Sequence, residues 1–184
     1  TFTSGKRARK ISYLPQARTQ AWPLRVEDAV ALGRFAYGVA ITRLGAHDRA
    51  AVNYALTACE LEHLRMRAVD TLSGGELARV HIARVYAANT PLLVADEPTA
   101  GFDPHARREF HELIHRLSDF ENTTIVLTTH DLAEAEKIAD RILILDGGRI
   151  VADGTPAELH DRAPEGNLTD LFRKLTSRDT DEAA

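Results

Sequence analysis

The sequence predicts an α/β fold, a parallel sheet with helices against it and a helical segment inserted between strands. Three observations predict it. Leu92-Leu93-Val94-Ala95 is a continuous apolar run, the pattern of a strand buried on both faces of a parallel sheet. From residue 91 onward strand-like and helix-like stretches alternate, which implies right-handed crossovers between parallel strands. Residues 24 to 70 are rich in Ala, Leu and Arg, with apolar positions at helical spacing.

Taken in order, Ile11 to Leu14 reads as a short strand closed by Pro15, which cannot donate to a ladder. In the insert, Val26, Val30 and Gly33 share one helical face, and Val52, Leu56 and Cys59 share another. Ser73 caps a helix running to about Ala88, and Glu76 completes a capping box. Pro104 opens a helix whose Phe110, Leu113, Ile114 and Leu117 recur at i, i+3, i+4 and i+7. Thr124 to Thr128 is a β-branched strand, and Asp131 to Ala139 a helix. Arg141 to Leu145 and Arg149 to Val151 flank Asp146-Gly147-Gly148, a hairpin signal. Thr155-Pro156-Ala157-Glu158 combines a capping box with proline at the first helical position. From Ser177 onward the polar tail is expected to fray.

At 184 residues the length suits one domain with an inserted subdomain. The 44% apolar and 27% charged content is that of a soluble globular protein. A net charge of −4 argues against nucleic-acid binding driven by net positive charge. The cluster Lys6, Arg7, Arg9 and Lys10 reads as a solvated edge. Cys59 is the only cysteine, so no internal disulfide forms and a reducing compartment fits. Its apolar neighbours mark it as a core residue and not a nucleophile. No apolar run approaches 18 residues, so no membrane span is expected. The chain starts at Thr1 without a signal-peptide pattern and reads as an N-terminally incomplete polypeptide.

Several residues have the chemistry of a phosphate and magnesium site. Asp96 ends the apolar strand at the sheet edge where open α/β folds bind ligands, and its carboxylate is a hard oxygen ligand for Mg²⁺. Glu97 follows at once and is a candidate to polarise an attacking water. Ser73-Gly74-Gly75, at a helix start, lets backbone N–H groups approach a phosphate closely. His130, after the Thr124–Thr128 strand, is placed to donate a hydrogen bond to a γ-phosphate or orient a general base. The amide of Gln16 offers both donor and acceptor to a metal-bound water. The other histidines, His105, His111 and His115 among them, read as surface residues. No G-x-x-x-x-G-K-[ST] phosphate loop occurs; in Ser4-Gly5-Lys6 the next position is Arg7, where the loop needs Ser or Thr for Mg²⁺.

In order and spacing these segments resemble the ATP-binding cassette (ABC) ATPase family. Tyr13-Leu14-Pro15-Gln16 resembles its Q-loop, Leu72-Ser73-Gly74-Gly75-Glu76 its signature motif, and Leu92 to Asp96 its Walker B strand, with Glu97 as catalytic carboxylate. Thr99 to Pro104 resembles the D-loop and Thr129-His130-Asp131 the switch histidine. The resemblance implies a P-loop NTPase-like sheet, ATP and Mg²⁺ as cofactors, with Asp96 and Gln16 near the metal, and Glu97 and His130 as the catalytic pair. It also implies a head-to-tail homodimer in which Ser73, Gly74, Gly75 and Glu76 of one subunit face nucleotide held by the other, with Asp103 coupling the two sites. Phe102 stands where the family usually has leucine. On this reading residues 1–184 form a partial ABC ATPase domain: about 22–88 a helical subdomain, 1–21 and 89–160 core, and 161–184 a C-terminal extension. The phosphate loop and early strands would precede Thr1, so the fragment alone is expected to be inactive.

Val26 to Arg34 and Leu44 to Arg49 resemble the ATPases of iron-siderophore, haem and cobalamin importers. That implies transmembrane permease partners touched by the helical subdomain, a peripheral place on the cytoplasmic face of the membrane, and no nucleic acid. The alternatives are a drug-type exporter ATPase, or a non-catalytic truncated ABC protein without a transporter partner.

Overall fold

The computed structural model describes residues 3–16, 24–120, 123–163 and 167–176. The polar tail from Ser177 lies outside the described residues. The chain divides into two compact units, Thr1–Thr128 and Thr129–Ala184.

The first unit contains α1 (Ser4–Ala8), β1 (Ile11–Leu14), α2 (Val26–Ala31), α3 (Ala46–Ala58), α4 (Gly74–Ala87), β2 (Leu92–Asp96), α5 (Pro104–Phe120) and β3 (Thr124–Thr128). The strands form a parallel sheet in the order β1-β2-β3. Leu14 pairs with Ala95, and Asp96 with Thr128. One face carries Ser12, Leu14, Leu93 and Ala95, all buried, and shares its core with Phe110, Leu113, Ile114 and Leu117 of α5. The other face leaves Ile11, Tyr13 and Val126 at 40, 53 and 45% exposure. The apolar run of β2 is therefore covered on one side, not on both.

Residues 24 to 72 form short α and 3-10 segments that pack on α4. Val26 and Val30 are buried, as are Val52, Leu56 and Cys59. Burial pushes the Cys59 thiol up to about 12, so it stays protonated at neutral pH. At Gly33 a Cβ would lie 2.0 Å from the Arg84 carbonyl oxygen, so only glycine allows this approach to α4. Arg34 next to it is fully buried. Its Nε donates to Asp48 at 2.9 Å, its Nη1 to the Ala87 carbonyl at 3.0 Å, and its guanidinium lies 3.8 Å from the Tyr37 ring centroid. The ion pair thereby also satisfies the C-terminal end of α4.

The second unit contains α6 (Leu132–Ile138), β4 (Ile142–Asp146), β5 (Arg149–Gly154), α7 (Pro156–Arg162) and α8 (Leu168–Thr176). β4 pairs antiparallel with β5, the hairpin expected at Asp146-Gly147-Gly148, while the parallel sheet among the described residues consists of β1, β2 and β3. Gly147 and Gly148 take φ of 53 and 77°, the backbone of a tight hairpin turn. Ile142, Ile144 and Ala152 pack with Leu159, Leu168 and Leu171.

Candidate functional site

The first group of site residues lies at the carboxyl edge of the β1-β2-β3 sheet. Strand alternation puts Tyr13, Asp96 and Thr128 on the same, exposed face. Thr128 Oγ1 donates to Asp96 Oδ1 at 2.5 Å, and Tyr13 Oη donates to Asp96 Oδ2 at 3.3 Å. Both carboxylate oxygens are thus oriented by neighbouring strands, and each keeps lone pairs for a further partner. The phenol of Tyr13 is pushed up by partial desolvation and by the Asp96 charge. Gln16 is exposed two residues beyond the end of β1, the neighbour of β2.

Glu97 adopts φ 44°, and its N–H is held by the Thr128 carbonyl at 3.1 Å. A left-handed backbone at a non-glycine residue costs of order 1–3 kcal/mol and clusters at functional positions. The turn redirects the chain at the rim, so Glu97 does not continue the strand beside Asp96. Oxygen donors around one carboxylate suit Mg²⁺, which takes one or two protein oxygens together with waters and phosphate. Among the described residues no cluster of three or more His, Cys, Asp or Glu is arranged as an all-protein metal cage.

The second group lines a groove of about 400 Å³ that includes Ser73, Gly74, Gly75, Glu76 and Asp103. The capping box is formed: Glu76 N donates to Ser73 Oγ at 3.3 Å and Ser73 N to Glu76 Oε2 at 2.7 Å. That bond from the Ser73 N–H holds the Glu76 carboxyl below the usual range. Asp103 caps α5 by accepting from the amides of Ala106 at 3.0 Å and His105 at 2.8 Å, which lower its carboxyl in the same way. Phe102 contacts Phe110 edge-on, with ring centroids 6.1 Å apart.

His130 is two residues past β3 and belongs to the second unit, where it is exposed. Within the first unit the expected site residues fall in two places, Gln16, Asp96 and Glu97 at the rim and Ser73–Glu76 and Asp103 in the groove; His130 belongs to the second unit. Tyr13 and Thr128 escaped the sequence reading as partners of Asp96, because no local pattern says which strands flank β2. Glu109 escaped it too; its carboxylate lies 3.2 Å from Arg79 and 3.4 Å from His105 along the groove. His111, expected on the surface, is buried at 4% exposure against the edge of Phe110. Its helix turns that position inward beside the apolar stripe.

Residues 3–100 match the sequence profile of the family described as ABC transporter. The hemin import ATP-binding protein HmuV of Nocardia farcinica (strain IFM 10152) is 41% identical over 150 residues, 81% of this chain and 51% of that protein. The thiamine import ATP-binding protein ThiQ of Jannaschia sp. (strain CCS1) is 39% identical over 150 residues, 82% of this chain and 64% of that protein. Among solved structures, cbiO1 from Clostridium perfringens, part of the ABC transporter complex cbiONQ, aligns with TM-score 0.75 and 27% identity. The alignment covers 94% of this chain and 65% of that one. The chain thus spans between about half and two thirds of the length of these relatives. The chain therefore belongs to the ABC transporter family and matches its ATP-binding subunits.

Proposed function

We propose that this chain is the trailing share of an ATP-hydrolysing subunit that energises an ABC importer. The observation that carries the proposal is the Asp96 carboxylate at the end of the central strand, oriented by the Tyr13 and Thr128 hydroxyls beside the strained Glu97. Asp96 and Gln16 would hold Mg²⁺, directly or through water. When bound, the metal neutralises charge on the phosphate oxygens. Glu97 accepts the proton of the attacking water. His130 donates a hydrogen bond to the γ-phosphate. The N–H groups of Gly74 and Gly75 at the start of α4, helped by the helix dipole, take the γ-phosphate of nucleotide held by a second subunit. That arrangement requires a head-to-tail dimer, in which Asp103 couples the two sites.

The helical subdomain, about 22–88, would contact transmembrane permease subunits, placing the protein peripherally on the cytoplasmic face of the membrane. An iron-siderophore, haem or cobalamin-type ligand is favoured by the segments Val26–Arg34 and Leu44–Arg49 and by likeness to the hemin relative. A thiamine import relative is about equally similar, so likeness to the hemin relative alone does not set the ligand.

Glu97→Gln, made in a full-length protein carrying this segment, is expected to lower turnover by at least about 10²-fold while leaving ATP binding intact. Unimpaired hydrolysis removes Glu97 from its role. The 184-residue chain, whose sequence has no phosphate loop, is expected to show little or no turnover of Mg²⁺-ATP in a phosphate-release assay.

A further inference from the structure

We infer that Glu134 is a positioning residue that fixes the backbone carrying His130, an inference that rests on the proposed γ-phosphate contact of His130. Glu134 lies in α6 at only 4% exposure, and a carboxylate is seldom so buried unless it is paired. Its Oε2 accepts from Thr129 Oγ1 at 2.6 Å, a short bond of the charge-assisted kind. The same hydroxyl accepts from the Asp131 N–H at 3.0 Å. Asp131 Oδ1 in turn accepts from the Glu134 N–H at 3.2 Å and caps α6. Three hydrogen bonds thus close a ring through the residues on either side of His130, and the ring hangs on one buried carboxylate.

His130 is exposed between two tethered neighbours. A side chain that must meet a phosphate within hydrogen-bond reach gains from such preorganisation, because misplacement by about 1 Å costs on the order of 10²-fold in rate. Nothing in the ring requires Glu134 to touch nucleotide; it acts through Thr129 and Asp131. Glutamine can still accept from Thr129 and is the conservative replacement, whereas alanine leaves the hydroxyl without its buried acceptor.

The test reads amide exchange in the 184-residue chain and turnover in a full-length protein carrying it. In Glu134→Ala the Asp131 amide is expected to exchange about tenfold faster, the equivalent of one lost hydrogen bond, although its own acceptor is untouched. Amides of β4 and β5 serve as the control for global unfolding. Thr129→Val opens the same ring from the other side, while Glu134→Gln and Thr129→Ser are expected to stay near wild type. Turnover is expected to fall at least about tenfold in Glu134→Ala and Thr129→Val, with KM for ATP within about twofold and rescue by the conservative pair. Unchanged Asp131 exchange in Glu134→Ala overturns the inference, as does faster exchange with undiminished turnover where His130→Ala is itself impaired. Faster exchange with both Glu134→Ala and His130→Ala fully active upholds the tether and overturns the phosphate contact instead. Should Glu134→Ala unfold, the contrast between Thr129→Val and Thr129→Ser decides, and equal turnover in the two overturns the inference.

Discussion

The two faces of the β1-β2-β3 sheet differ in how they are covered. One face is closed over Leu14, Leu93 and Ala95 by an apolar core that reaches α5. The other leaves Ile11, Tyr13 and Val126 about half exposed and carries the Asp96 carboxylate at its rim. Packing interactions hold the first face, whereas the second presents a polar cluster whose geometry is inherited from the first. Strand register transmits that order: a carboxylate on β2 is aimed by hydroxyls of β1 and β3 only if all three strands stay in step. Stability and chemistry are thereby divided between opposite sides of one layer.

The largest expected contrast comes from truncating the closed face. Leu93→Ala should cost about 3 kcal/mol through lost burial and a cavity, read as a drop in urea midpoint with the same slope. A loss below about 1 kcal/mol would break the distinction between the faces. Cys59 gives a second probe of the closed side. With its thiol pushed up to about 12, alkylation at pH 8 should run at least about a hundredfold slower in the folded chain than in denaturant.

Effects of intermediate size belong to exposed elements that complete their own hydrogen bonds. Ser73→Ala should cost about 1 kcal/mol by removing the cap of α4. Because Glu76 is held below its ordinary value, its contribution is fully present above about pH 4.5, the unfolded value. It is lost as pH falls through the lower folded value. Amide signals of the first turn of α4 should report this loss in acid, and Glu76→Gln should abolish it. The smallest effect is expected on the open face, where Val126→Thr should shift stability by less than about 0.5 kcal/mol. A change as large as that of Leu93→Ala would show that the open face is packed in solution.

Much of this was readable from local pattern. The helix starts at Ser73 and Thr155 were legible because a capping box closes within four residues, and the Asp146-Gly147-Gly148 hairpin because its turn needs only glycine backbone freedom. The parallel strands Ile11–Leu14, Leu92–Asp96 and Thr124–Thr128 appeared as apolar or β-branched runs. Two readings failed for a shared reason. Leu92 to Ala95 was expected to be covered on both faces, and His111 to lie on the surface, because neither pattern says which neighbour an element will meet.

Sequence by itself determined the identity and chain order of the acidic, glycine-rich and histidine segments, because those depend on residue type and spacing. Only the tertiary structure decided that Tyr13 and Thr128 grip Asp96, that Glu97 bends into a left-handed backbone, and that Glu134 tethers the flanks of His130. The first follows from register among strands whose bonded residues lie 32 and 83 positions apart in the chain. The third is local in sequence, yet it depends on the packing that buries one carboxylate against its helix, which no spacing rule encodes.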